Sequence, residues 1–417
     1  MVTRYAVRSV DMGNGERMPL LVDVETGLGV FEATAYSLSL RSKGRQVNTL
    51  TQALSAVAFL YDTLAESNLN LMTRARDSEM LSLGEIEGLV ARCKYVKSEL
   101  RNAANLAATT NVLPLRKHLA KNKSAHYRIA KVRSDTAAIR LYYIAKYLEW
   151  FADYAFLSKI PLNRKEFRGT ATLVVSAIRG RTPEPSSSSK TRKKGLAKQQ
   201  EKRLLSVVNP ASPENPWKQA FIRNRNYVII RLLRDLGVRK GELLGVKIED
   251  IDFGSNILFV ARRPDDPEDP RNRQPEAKTL ERKLPMGDNL SALIRRHIDE
   301  DRCHIGNARR HPFLVVGEHG EPLALNSVDY IFSTLRKNFP EVAPVSAHLL
   351  RHTWNDSFSE FAKKKFVRAE EEKVRNYLMG WADGSRMAAN YTARFVEEES
   401  RDALLALQSS AYEQVNA

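Results

Sequence analysis

The sequence predicts a mainly α protein with a small antiparallel β-sheet. Apolar residues recur at intervals of three and four through most of the chain, as in Leu50, Leu54, Val57, Ala58, Tyr61 and Leu64, the spacing of a buried helix face. Strand-like runs are few and short, at residues 20–24 and 257–260 with a return at 282–285. At 417 residues and 43% hydrophobic content, the chain can build two or three domains, each with its own core.

In chain order, residues 1–30 read as a short β-rich segment with a turn at Thr26-Gly27. Arg41, Lys43 and Arg45 form a basic knuckle before the first strongly amphipathic helix, with Asn48 or Thr49 as its expected N-cap. Basic residues at a helix N-terminus suit a phosphate, because free backbone N–H groups add to the charge; a solvated loop is the alternative. Residues 80–112 read as helical, with Leu89, Cys93, Val96 and Leu100 on one side. Next come Arg116, Lys117, Lys121, Lys123, Arg128, Lys131 and Arg133, a run of one sign with no acidic residue among them, as DNA-backbone contact favours. Ser134-Asp135 opens a helix whose stripe of Tyr142, Tyr143, Tyr147, Trp150, Phe151 and Tyr154 has the spacing of a packed core face rather than a base-stacking platform. Residues 31–179 are thus expected to form a helical DNA-gripping domain. Residues 180–198, rich in Ser and Pro and carrying Lys190, Arg192, Lys193 and Lys194, form a basic flexible linker. Residues 199–417 form a second domain: helical from 196 to 234, a hairpin with a long polar, proline-rich excursion at 262–276, and mainly helical after an apolar run at 313–316. A last helix, about 397–414, carries Leu404, Leu405, Leu407 and Tyr412, which pack on their own domain or on a neighbouring protomer.

Lys and Arg number 66 against 49 Asp and Glu, a net charge of +17, which points to a polyanion such as nucleic acid. No apolar run approaches the ~20 residues needed to span a bilayer, and the first residues lack the apolar core of a signal peptide. Two cysteines argue against a disulfide framework and suit a reducing cytoplasm, where a nucleoid-associated protein would work.

The stretch from Ala347 to Trp354 carries the chemistry. On a helix, His348 and Arg351 lie three apart and share a face, pairing a proton acceptor with the planar donor fork of a guanidinium, a combination suited to a phosphate. Upstream stands Gly237-Val238-Arg239-Lys240-Gly241-Glu242; downstream stand Leu378-Met379-Gly380-Trp381 and then Tyr391. In this order, with Lys278 between them, these segments resemble the arginine boxes, hairpin lysine and nucleophile of the tyrosine recombinases, the phage-integrase family. The resemblance spans about residues 204–394, roughly half of the chain.

The resemblance implies an N-terminal helical core-binding domain and a mixed α/β catalytic domain. It implies that Arg239 and Arg351 grip the scissile phosphate, that His348 accepts or shares a proton, that Lys278 protonates the departing 5′ oxygen, that Trp381 donates an indole N–H, and that Tyr391 is the nucleophile. Glu242 and His352 would support these groups from behind. A 3′-phosphotyrosine retains the bond energy, so neither a metal nor another cofactor is implied. The implied partners are double-stranded DNA with specific recombination sites and further copies of the chain, four in the synaptic complex. Two intervals, 363–372 and Trp381 to Tyr391, are longer than the family's usual spacing, and the long excursion leaves Lys283 as a rival to Lys278. Type IB topoisomerase-like relaxation and a non-catalytic DNA-binding protein of the same fold are the alternatives. Asp265, Asp266, Glu268 and Asp269 in the proline-rich loop are expected to face solvent, and Cys303, His304, His311 and His319 lack zinc spacing.

Overall fold

A computed structural model describes residues 4–13, 15–100, 130–184, 195–275, 277–385, 387–388, 404–405 and 408. Arg116, Lys117, Lys121, Lys123, Arg128, Lys190, Arg192, Lys193, Lys194, Tyr391 and most of the expected last helix lie outside these residues. The chain divides into two compact units, Met1–Ser188 and Ser189–Ala417.

In the first unit, β1 (Tyr5–Asp11) and β2 (Arg17–Asp23) form an antiparallel hairpin in register from Tyr5↔Asp23 to Asp11↔Arg17. Helices α1 (Phe31–Ser42), α2 (Val47–Glu66), α3 (Leu71–Arg76), α4 (Leu83–Cys93), α5 (Ser134–Leu157) and α6 (Arg164–Gly180) follow. Leu21 of the hairpin joins Leu54, Val57 and Leu60 of α2, Leu141 and Phe151 of α5, and Phe167 of α6 in one core. The aromatic stripe is largely core: Tyr147 and Phe151 are fully buried, and the Tyr147 hydroxyl lies 2.7 Å from that of Tyr61. Only Tyr142 of the stripe is markedly exposed.

Two expectations for this unit need correction. The N-cap of α2 is Gln46, not Asn48 or Thr49, and it makes no side-chain cap; the chain enters from the preceding helix α1. The helix expected over 80–112 is also interrupted. It stops at Cys93, Tyr95 bridges to Lys131, and Arg140 donates to the Cys93 and Tyr95 carbonyls at 3.0 and 2.8 Å, satisfying acceptors that a helix end leaves open.

In the second unit, α7 (Lys198–Val208) and α8 (Ala220–Asp235) are separated by a loop holding Pro210, Pro213 and Pro216. The continuous helical pattern expected over 196–234 breaks there because proline lacks the N–H a helix interior needs. Then come α9 (Lys240–Gly245), a three-stranded antiparallel sheet of β3 (Ile251–Asp252), β4 (Ile257–Val260) and β5 (Arg282–Pro285), α10 (Asp288–Arg296), α11 (Leu325–Asn338), α12 (Ala347–Ala362) and α13 (Arg368–Met379). Leu233, Leu243, Leu258, Leu284, Phe332 and Leu350 pack into one core that joins the sheet to the helices. The carboxylates of the proline-rich excursion do not all face solvent: Asp266 and Asp269 are buried, the first against Lys247 and the second against Arg271.

Two glycines set the approach to α12. Gly195 donates its N–H to Asp356 Oδ2 at 2.8 Å, and Leu196 donates to Thr353 Oγ1 at 2.8 Å, so the start of the described unit lies flat on α12. Gly237, in the turn from α8 to α9, has φ of +62°, and a Cβ there would come within 2.8 Å of the Trp354 ring. That ring is fixed by a stack on Phe358 and by its N–H bond to the Asp235 carbonyl at 3.1 Å. Gly237→Ala is therefore expected to combine left-handed strain with overpacking and to cost about 2–4 kcal/mol, read as a lowered denaturation midpoint.

Candidate active site

The site is assembled on one carboxylate. Arg239 is the N-cap of α9, and Glu242 folds back to accept the Arg239 backbone N–H at 2.9 Å, which satisfies one open donor of the first turn. Glu242 is 3% exposed and its side chain is fully buried, so the remaining lone pairs of the carboxylate need protein donors. Arg239 Nη1 donates at 3.3 Å and Arg282 Nη2 at 2.8 Å, the Thr279 hydroxyl donates to Oε1, and Arg351 Nη1 stands at 4.0 Å. Burial alone would raise this carboxyl, but the Arg282 and then the Arg351 guanidinium, with the hydrogen bonds from Arg282 and Thr279, push it down to about 2.

Each arginine reaches this point for a separate reason. Arg351 projects inward from α12 and is 2% exposed; it donates to the Gly237 carbonyl at 2.6 Å and the Met379 carbonyl at 3.0 Å. Its guanidinium carbon lies 5.6 Å from the centre of the Trp381 ring. Arg282 occupies an inward position of β5 and also donates to the Leu378 carbonyl at 2.7 Å. Arg239 keeps 30% of its side chain exposed and is the most open of the three.

His348 sits exposed in the first turn of α12, capped by Ser346, whose hydroxyl accepts the Leu349 N–H at 3.1 Å. Its ring meets His352 edge to face, with centres 4.5 Å apart. Helix start and imidazole thus present N–H donors and positive end charge on the same side. Trp381 is buried and follows Gly380, whose φ of +64° ends α13; the Gly380 carbonyl accepts the Leu280 N–H at 2.9 Å. A Cβ at Gly380 would stand 2.7 Å from Arg282 Nη1, so this close packing of hairpin on helix end requires glycine.

Lys278 is exposed and directly precedes Thr279, whose hydroxyl is spent on Glu242. Lys283 lies on the opposite face of β5 from Arg282, as strand alternation demands, and its charge acts on Asp252. The structure therefore brings Arg239, Glu242, Arg351 and Trp381 together, places His348 and His352 against each other on the helix that carries Arg351, sets the hairpin carrying Lys278 beside the cluster, and turns Lys283 away. Sequence reasoning missed Arg282 and Thr279. The alternation of Arg282-Lys283-Leu284-Pro285 marks Arg282 as inward, but nothing in sequence says which carboxylate it meets.

The other described cations expected to contact phosphates lie in the first unit. Arg41, in the last turn of α1, is paired with Glu16 and donates to the Arg45 carbonyl at 3.3 Å. Lys43, Arg45, Lys131 and Arg133 are exposed, the last 3.6 Å from Asp135. Among the described residues no group of three or more His, Cys, Asp or Glu is placed to hold a metal ion, and no helix is long and apolar enough to cross a membrane.

Residues 194–398, which include every residue of this cluster and Tyr391, match the phage integrase family. A tyrosine recombinase XerC of Staphylococcus epidermidis is 28% identical over 133 residues, covering 31% of this chain and 38% of the relative. XerC of Staphylococcus aureus is 30% identical over 132 residues, with the same coverage. The match thus spans well under half the length of these relatives. Among solved structures, the chain is similar to the Tn1549 transposon integrase in complex with a circular intermediate DNA (15% identity, 88% of this chain and 98% of that chain, TM-score 0.47). It is also similar to a lambda integrase dimer bound to a COC′ core site (13% identity, 86% and 93%, TM-score 0.44). Through its second unit, the chain belongs to the phage integrase family, the tyrosine recombinases.

Because Glu242 ionises more readily folded than unfolded, its contribution is present above the unfolded value near 4.5 and is lost as pH falls toward 2. That contribution is about 3 kcal/mol. Glu242→Gln should flatten this acid limb in urea titrations. At pH 7 it should destabilise by about 3–5 kcal/mol, since it leaves buried guanidiniums unpaired.

Proposed function

We propose that the chain is a site-specific DNA recombinase that cuts and rejoins strands through a 3′-phosphotyrosine on Tyr391. The main support is the convergence of Arg239 and Arg351 on the buried Glu242 carboxylate, at 3.3 and 4.0 Å, with His348 a turn before Arg351 on the same helix. A phosphodiester resists attack because its charge repels nucleophiles and its alkoxide leaves poorly. Two guanidiniums oppose the charge that develops on the non-bridging oxygens, the task that bound metals perform in many nucleases.

The Tyr391 oxygen bonds to phosphorus as the bond from phosphorus to O5′ breaks. A phenol, with its usual pKa near 10, must lose its proton, and His348 takes it. Lys278 gives a proton to O5′. Trp381 excludes water beside Arg351. Attack of another strand's 5′ hydroxyl reverses the step, so the bond energy is conserved and no nucleotide or metal is consumed. Exchange between two duplexes breaks four strands and each copy offers one Tyr391, which calls for four protomers. Arg41, Lys43, Arg45, Lys131 and Arg133 hold backbone phosphates and leave base recognition to other contacts.

The test uses nicked duplexes tiling the DNA that flanks the gene, with protein–DNA adduct read on denaturing gels and mapped to the cut phosphate. Tyr391→Phe should abolish the adduct and retain binding; an undiminished adduct removes Tyr391 from its role. Relaxation of supercoils without a preferred site would indicate a topoisomerase instead, and binding with no adduct from the parent protein a non-catalytic binder. Arg239→Ala and Arg351→Ala should each slow adduct formation by about 10²–10³-fold. Lys278→Ala should slow it by about 10²–10⁴-fold, and Lys283→Ala should leave it near the parent rate.

A further inference from the structure

The chain between β4 and β5, residues 261–281, is long for a hairpin connection, and connections of this length without secondary structure are usually either functional or disordered. This one is fastened from within. At its neck, the Arg262 N–H donates to Glu281 Oε1 at 2.9 Å. Arg263 grips Asp250 through two hydrogen bonds, of 2.9 and 2.5 Å. Lys247, its side chain 4% exposed, sits 3.0 Å from Asp266 and is also paired with Glu268.

The strongest tie is Arg271. Its Nε and Nη2 donate to the two oxygens of Asp269, each at 2.8 Å. The same guanidinium donates to the Leu323 carbonyl at 2.8 Å and the Leu244 carbonyl at 3.0 Å, and it lies 4.7 Å from the Phe313 ring centre. Leu244 belongs to α9, the helix whose first turn carries Arg239 and Glu242. Gln274 then closes the loop on itself. It accepts the Asp266 N–H at 3.0 Å and donates to the Asp266 carbonyl at 2.6 Å and the Asp269 carbonyl at 3.2 Å.

These ties end at Pro275, which is buried. On the far side of Lys278, Thr279 is bound to Glu242 and Leu280 to the Gly380 carbonyl. Lys278 stands exposed between these two fixed points. Burying paired charges gives little net stability compared with apolar packing, and a shorter polar loop would join β4 to β5 without that desolvation. What such a network supplies is position. A general acid must come within about 2.6–3.2 Å of the oxygen it protonates, and a lysine has a long, flexible stem.

We infer that the ion pairs of residues 263–275 fix the backbone ahead of Lys278, which makes Arg271 and Gln274 positioning residues for proton delivery to the departing 5′ oxygen. This rests on the recombinase reading above. Loosening the loop should therefore slow the one step that needs the lysine's proton and leave the rest of the reaction intact.

The test measures single-turnover adduct formation on the mapped duplex and on the same duplex with sulfur replacing the bridging 5′ oxygen at the cut phosphate. A thiolate, the base of a thiol with a pKa near 8.5, leaves without being protonated. Arg271→Ala and Gln274→Ala should be slowed about 10–100-fold on the oxygen strand. On the sulfur strand both should return to within about twofold of the parent, as Lys278→Ala does, since no general acid is needed there. Equal slowing on both strands, or no slowing on the oxygen strand, overturns the inference. Should Arg271→Ala fail to fold, as judged by its thermal transition, Gln274→Ala carries the same two outcomes. Absence of adduct from the parent protein overturns the recombinase reading itself. If sulfur fails to rescue Lys278→Ala, the lysine loses its role, and the positioning role falls with it.

Discussion

One carboxylate out of contact with water orders the second unit. Glu242 holds Arg239 on its own helix, Arg282 and Thr279 on the hairpin, and stands beside Arg351 of α12. An isolated buried carboxylate would cost several kcal/mol, and an isolated buried guanidinium a comparable amount. Each therefore requires the other, and the three chain segments must meet before either cost is offset. With three guanidiniums around one carboxylate, the cluster keeps an excess of two positive charges. Such a place favours a phosphodiester, and more so as charge builds up on its oxygens.

Much of this was readable from the sequence, for reasons that differ by residue. His348 and Arg351 lie three apart on one helix, where local spacing decides which side chains project together, whereas Arg239 and Trp381 were singled out only by the resemblance to the family. The aromatic stripe of α5 was legible as core because its period matches a buried face. Arg282 was not legible, since its partner lies forty residues earlier and is chosen by hairpin register. The excursion after β4 was misjudged for a related reason. Its prolines and carboxylates have the composition of a solvated loop, while the cations that draw it inward, Lys247 and Arg271, stand on either side of those acids and reveal their pairing only once folded. The break after Cys93 follows the same logic: a bridge from Tyr95 to Lys131 and a capping Arg140 override local helical preference.

Lys278 and Lys283 occupy different places in the hairpin. Both satisfy a pattern of lysine near a return strand. Strand alternation separates them, since an inward Arg282 turns its neighbour Lys283 outward, toward Asp252. Lys278 is exposed one residue before Thr279, whose hydroxyl is bound to Glu242.

The backbone stitches from Gly195 to Asp356 and from Leu196 to Thr353 have a mechanical meaning. Any pull transmitted along the chain toward Gly195 reaches the second unit first through α12, within about a turn and a half of Arg351. A load on that strand of polypeptide is thus delivered to the helix of Arg351 before it can be dissipated in the surrounding core.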